Sequence, residues 1–203
     1  MLHRYIRREA MENNFGFDSI DSSYLDALKE IGNIGAGNAT TALAQMLQRK
    51  VDMMVPQADL LEFRDLGEAI GGEETIMAGV YMVVEGDING SMMFLLEKES
   101  SKHLVSQMMG GFGDPNTEEF GEMELSVLKE MGNIMTGAYL NSLSDLTGLK
   151  IYPSAPEIAI DMAGAILSVP AIEFGVLGDR ILMIQTRFTD DVEIDGFFIL
   201  VPD

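Results

Sequence analysis

The sequence predicts an α/β protein with an internal pseudo-twofold repeat: a central, mostly antiparallel sheet flanked by two long helices and several shorter ones. Three observations carry that reading. A segment is written twice, one hundred residues apart, as LDALKEIGNIGAGNATTAL from Leu25 to Leu43 and LSVLKEMGNIMTGAYLNSL from Leu125 to Leu143, with nine of 19 aligned positions identical. Self-similarity at this separation marks two copies of one structural unit. Each copy is followed by the same succession of patterns, ending in two β-rich runs around a turn, with Ile88-Asn89-Gly90 and Ile194-Asp195-Gly196 in matching places. Finally, 47% of the 203 residues are apolar, enough for an ordinary core.

The elements follow in order. Residues 1–20, beginning MLHRYIRREAMENN, read as an N-terminal arm, basic against an acidic remainder and without the apolar stretch of a secretory signal. Either the arm is a flexible extension or the natural start is Met11, and composition leaves both open. The rest, 21–203, is expected as one domain of two repeats, about 21–111 and 118–203. The first long helix begins near Ser22 or Ser23, residues suited to N-caps, and runs to about Gln48. VDMMVPQADLLEF is β-like, and Pro56 within it demands an edge or interrupted strand, because proline has no N–H to give to a ladder. RDLGEAIGG is a short polar helix. ETIMAGVYMVV and GSMMFLLEK form a hairpin, and Glu99–Met109 is a helix ending in Gly110-Gly111. GFGDPNTEEFG links the halves and turns at Asp114-Pro115-Asn116. In the second half a helix covers about Glu118–Thr147, LKIYPSAPEIAI is β-like and DMAGAILSVPAIEF is an apolar helix. RILMIQTRF and EIDGFFILVPD make the last hairpin.

Composition removes several function classes. Formal net charge is -20, which opposes binding to nucleic acid or to an anionic membrane and favours basic protein surfaces as partners. No apolar run approaches the roughly 20 residues that span a bilayer. There is no cysteine, which removes disulfides and thiolate metal sites and suits a reducing cytoplasm. With His3 and His103 the only histidines, a histidine metal cluster or a Ser-His-Asp triad is not expected.

The repeated helix separates two faces. At about 100° per residue, Asp26, Glu30 and Asn33 fall in one stripe, opposite Leu25, Leu28, Ile31, Gly35, Ala39, Leu43 and Met46. The second copy sets Ser126, Glu130 and Asn133 against Leu125, Leu128, Met131 and Leu143. A carboxylate and a carboxamide thus stand side by side in solvent, twice. Gly37 and Gly137 lie one turn beyond each asparagine, where a glycine costs about 1 kcal/mol relative to alanine. Their absent side chains leave room for another surface to approach. Gly32 and Gly132 lie nearer the apolar side, where they permit close helix–sheet packing.

The pattern Asp or Ser, three residues, Glu, two residues, Asn, 22 residues and Pro resembles the signature of the CheC/CheX/FliY phosphatases of chemotaxis. It occurs as Asp26, Glu30, Asn33 and Pro56, and again as Ser126, Glu130, Asn133 and Pro156. The resemblance extends from about residue 20 to 203 and implies hydrolysis of the aspartyl phosphate on the response regulator CheY. It assigns catalysis to Glu30, Asn33, Glu130 and Asn133. The asparagines would orient water, and the glutamates would pair with the lysine beside the phosphoaspartate. Asp26 and Ser126, with Gly37 and Gly137, would contact the partner; Pro56 and Pro156 would be structural. No cofactor or metal of the chain's own is implied, and any Mg2+ belongs to the partner's receiver domain. A second implied partner is CheD, the receptor deamidase, placed at the apolar helix with Asp161 as its exposed residue.

Two other classes compete. A non-catalytic adaptor or flagellar-switch component would keep the fold, but it has no use for paired glutamates and asparagines in both copies. A nucleotide enzyme is suggested only by GNIGAGNA, which lies inside the helix instead of following a strand.

Overall fold

The computed structural model describes residues 22–47, 50–111, 119–174, 180–189 and 193–202. The N-terminal arm, Met11 and the Asp114-Pro115-Asn116 turn lie outside these residues. The element order is α1 (Ser22–Leu47), β1 (Asp52–Glu62), a 3-10 turn (Phe63–Asp65), α2 (Leu66–Ala69), β2 (Ile76–Gly86), β3 (Gly90–Glu97) and α3 (Lys98–Met108). The second half adds α4 (Glu122–Thr147), β4 (Ile151–Pro153), β5 (Glu157–Met162), α5 (Ala163–Phe174), β6 (Arg180–Thr189) and β7 (Glu193–Pro202).

One seven-stranded sheet has the order β1-β6-β7-β3-β2-β4, with β5 also on β2, and every pairing is antiparallel. The final strands of the two repeats, β3 and β7, meet at the centre. Outside them lie β2 and β6. Outermost, β1 of the first repeat pairs with β6 of the second, while β4 and β5 of the second pair with β2 of the first. Each repeat therefore lends the strand after its long helix to the other's hairpin, which produces the pseudo-twofold arrangement. The expected match of the two Ile-x-Gly sequences is not met: Gly90 opens β3 and closes its ladder against Val84, whereas Gly196 lies three pairs inside the β6–β7 ladder against Thr186, so Ile194 and not Gly196 takes the place of Gly90.

Helices cover both faces. The central strands are apolar on both sides, so they alternate between two cores instead of between core and water. Met92, Phe94 and Leu96 of β3 face the core under α1 and α4, with Leu28, Ile31, Leu43, Leu128, Met131 and Leu143. Met93 and Leu95 face the opposite core, with Leu66 near α2 and Ile166 and Leu167 of α5. The glycines set the spacing between layers. An added Cβ at Gly32 would lie 3.3 Å from a Val55 methyl, and one at Gly132 would lie 2.5 Å from a Val80 methyl. At Gly35 it would come within 3.0 Å of the Tyr139 Cα, so α1 and α4 touch backbone to backbone there.

Pro56 lies in edge strand β1, and the ladder with β6 slips there: Met54 pairs with Arg187, but the next pair is Gln57 with Gln185. Val55 and Pro56 thus oppose the single residue Thr186, a β-bulge.

Three local expectations are corrected. The second long helix starts at Glu122, not near Glu118, because Gly121 is an extended N-cap whose N–H donates to the Glu124 carboxylate at 2.7 Å. Just before it, the Lys102 ammonium donates to the Glu119 carbonyl at 2.8 Å and lies over the Phe120 ring, fixing that approach in a non-helical form. The LKIYPSAPEIAI run is two strands, β4 and β5, parted at Ser154-Ala155-Pro156. Asp161 and Met162 end strand β5, and the helix begins only at Ala163, because Ile76–Tyr81 of β2 pair with the whole Glu157–Met162 segment.

Candidate active site on the paired helices

The stripe on α1 forms as its spacing requires. Leu28, Ile31, Ala39 and Leu43 are buried against the sheet, while Asp26 and Glu30 are exposed. Asn33 is half-buried because its carboxamide is bound at both ends. Its Oδ1 accepts the Val55 N–H at 3.0 Å, and its Nδ2 donates to the Lys29 carbonyl at 3.1 Å. One end must accept and the other must donate, so the two backbone groups dictate which way the carboxamide points. One N–H and one acceptor lone pair remain free. An asparagine so held can donate to one oxygen and accept from one water, with its orientation fixed in advance.

The second stripe lies on α4. Ser126, Glu130 and Asn133 are all exposed, and the Ser126 hydroxyl donates to the Glu122 carbonyl at 2.9 Å. Among the described residues Asn133 has no side-chain hydrogen bond. Its counterpart of Val55 would be Ala155, but in this half Ser154 occupies the strand break. The Ser154 N–H donates to the Val83 carbonyl at 2.8 Å, and its hydroxyl accepts the Val83 N–H at 3.0 Å. The same residue types therefore stand in two states, one asparagine tied to the sheet and one free.

Gly37 and Gly137 border these stripes. Among the described residues an added Cβ at either would meet nothing within 4 Å, so no packing between them requires a glycine there. The sequence differences Gly35-Ala36 against Met135-Thr136 lie at buried positions, not on the exposed stripes. Asp161 lies away from both stripes, exposed at the end of β5, where its carboxylate accepts the Met162 N–H at 2.7 Å. Beside it α5 exposes Val169 and Ile172, the latter at 83%.

Sequence reasoning placed Glu30, Asn33, Glu130 and Asn133 on outward-facing helix positions but missed the backbone of Val55 as a partner of Asn33. A signal was present: the signature's proline immediately follows the residue whose N–H the asparagine binds. Among the described residues no three His, Cys, Asp or Glu side chains converge as a metal site, and no helix is long and apolar enough to cross a membrane.

Comparison with known proteins gives a consistent assignment. A family model described as CheC-like matches residues 24–58 and 123–160, each segment holding one full set of helix residues and its proline. The CheY-P phosphatase CheC of Bacillus subtilis is 38% identical over 92% of this chain and 91% of its own length. Among solved structures, Thermotoga maritima FliY superposes with a TM-score of 0.73 at 24% identity, covering 89% of this chain and 91% of that one. The middle domain of Helicobacter pylori FliM gives 0.67 at 11% identity over 90% of this chain and 94% of its own, a likeness of fold alone. With two matched segments and a relative similar along almost the whole length, the chain belongs to the CheC-like family.

Proposed function

We propose that the protein hydrolyses the aspartyl phosphate of phosphorylated CheY, using one Glu/Asn pair on each long helix. The observation that carries this reading is the geometry of the two stripes. Each presents a carboxylate and a carboxamide outward, beside a glycine that internal packing does not require. The relative of 38% identity is a CheY-P phosphatase.

The chemistry asks little of such a site. An acyl phosphate is already activated, so the catalyst mainly positions water in line with the bond to be broken. The water oxygen bonds to phosphorus, the P–O bond to the aspartyl carboxylate breaks, and the aspartate leaves as its anion. The water's protons leave with the phosphate and solvent. Asn33 or Asn133 accepts a hydrogen bond from the water and donates one towards a phosphoryl oxygen. Glu30 or Glu130 pairs with the lysine beside the phosphoaspartate, docking the helix and drawing that lysine aside. Asp26 and Ser126 contact the receiver domain at the stripe's edge, and Gly37 and Gly137 let it come close. Mg2+ is required only on the receiver domain. The cytoplasm is the proposed location. CheD is the proposed second partner, docking on α5 through Val169 and Ile172 with Asp161 at the rim.

The decisive assay follows the decay of phosphorylated CheY. Asn33→Ala combined with Asn133→Ala should abolish the acceleration while the protein remains folded. Decay at the wild-type rate with the double variant would refute the proposal and favour the adaptor reading, which the shared fold of the FliM middle domain makes concrete.

A further inference from the structure

We infer that the β-bulge at Val55-Pro56 is a positioning device for Asn33, and that the first site is organised before its partner arrives whereas the second is not. The inference rests on the phosphatase reading for its kinetic consequence, but its structural content stands independently.

Proline has no N–H, so at position 56 β1 cannot complete a regular ladder with β6. The ladder skips from Met54–Arg187 to Gln57–Gln185, leaving Val55 outside the pairing. Its N–H is on a buried residue, and an unpaired buried N–H is costly. Here it donates to the Asn33 Oδ1 at 3.0 Å. Two further features make that contact possible. Gly32 lets α1 approach Val55, since an added Cβ would sit 3.3 and 3.4 Å from the two Val55 methyls. The Lys29 carbonyl accepts from the other end of the carboxamide. Two backbone anchors therefore hold Asn33 in one orientation, leaving one donor and one acceptor for chemistry. Pro56 and Val55 act through Asn33 and touch no reacting atom, so they are positioning residues.

The second half supplies an internal contrast. Pro156 occupies the matching place, but the strand there is broken, and Ser154 satisfies both backbone groups of Val83. No hydrogen bond joins Asn133 to Ala155. Asn133 has the same chemistry without the anchor, so its carboxamide must be oriented by the docked partner.

The test needs a structural arm and a kinetic arm. In the structural arm, side-chain amide signals of the free, full-length protein are recorded by NMR. The Asn33 pair should be displaced from ordinary values and Asn133 should be unexceptional. Replacing the Val55 backbone amide by an ester removes only its N–H and should bring Asn33 to ordinary values; Pro56→Ala should move it in the same direction. In the kinetic arm, the same changes are made with Asn133→Ala, so that only the first site works. The ester should lower kcat roughly tenfold through lost orientation while KM for phosphorylated CheY holds. Asn33 signals unmoved by the ester would overturn the inference, as would kcat unchanged in a variant whose Asn33 signals had moved. A fall in KM-dependent docking with kcat unchanged would also overturn it. If Asn33→Ala combined with Asn133→Ala leaves the decay of phosphorylated CheY at the wild-type rate, the phosphatase reading fails, while the NMR arm still decides whether the bulge holds Asn33.

Discussion

Glycine at 37 and 137 offers the sharpest test of whether the exposed stripes serve a partner. Each lies inside a long helix, where glycine is about 1 kcal/mol less favourable than alanine. An added Cβ at either meets nothing within 4 Å among the described residues, so no steric cost from them offsets that gain. Gly37→Ala with Gly137→Ala should therefore stabilise the protein by about 1–2 kcal/mol and raise Tm by roughly 2–8 °C. Gly132→Ala, on the same helix, should do the opposite. Its Cβ would lie 2.5, 2.7 and 2.9 Å from three atoms of Val80, a buried, β-branched side chain with little freedom to move. Overpacking of this kind costs about 1–3 kcal/mol and outweighs the helix-propensity gain. Calorimetry checks both signs. Function should separate from stability: the two new methyl groups stand one turn from Asn33 and Asn133, on the face proposed to receive CheY. An intrusion of about 1–3 kcal/mol there would raise KM for phosphorylated CheY roughly five- to a hundredfold. A double variant that is more stable and keeps the wild-type KM would refute the claim that these glycines clear space for a partner. A double variant that is less stable would refute the helical geometry on which the claim rests.

Two further predictions concern other parts of the molecule. The Tyr139 hydroxyl is buried with no hydrogen-bond partner among the described residues, so Tyr139→Phe should stabilise the fold by about 1 kcal/mol in urea unfolding. Burial holds its pKa well above the ordinary tyrosine value of about 10. The folded state therefore keeps a proton that the unfolded chain releases, so stability should fall as pH rises past about 10, and the Phe variant should be spared that part of the loss. On α5, Ile172 is 83% exposed, so Ile172→Asp should leave Tm within about 1 °C while abolishing pull-down of CheD. Retained CheD binding would remove α5 from the proposed interface, and the CheY reaction should be unaffected either way.

Much of the fold was legible because its signals are local. The long helices show their two faces in sequence, the hairpins their β-rich runs and turns, and Pro56 its edge-strand position. The exchange of strands between repeats was not legible. Periodicity reveals which face of β1 is buried but not that its partner is β6, more than a hundred residues later. The split of β4 from β5 was hidden for a related reason: Ser154 breaks the run by binding Val83, a residue of another strand. The late start of α4 depends on the contact between Lys102 and Glu119, again across elements. At the site, spacing placed Glu30 and Asn33 on the exposed face. The signature marks its proline as structural, but the link from that proline to Asn33 runs through the Val55 N–H, a contact between elements that spacing does not carry.

The contact between α1 and α4 explains how two such sites persist in one chain while differing. Gly35 and Ala39 of α1 align with Met135 and Tyr139 of α4, and a Cβ at Gly35 would reach within 3.0 Å of the Tyr139 Cα. In a helix pair related by a pseudo-dyad, position 35 faces 139 and position 39 faces 135. Each meeting then sets a small residue against a large one. The volume is filled as two medium residues would fill it, so the copies can diverge there without opening a cavity. Glu30, Asn33, Glu130 and Asn133 lie on the outward side and are free of that reciprocal demand. If packing alone acted on the repeat, these positions would have drifted most readily. They are instead the same residues in both copies, with an alanine-tolerant glycine one turn further on in each. Identity of Glu30 with Glu130 and of Asn33 with Asn133, at outward positions the contact between the helices does not constrain, is the pattern that recognition of one external surface by both helices would leave.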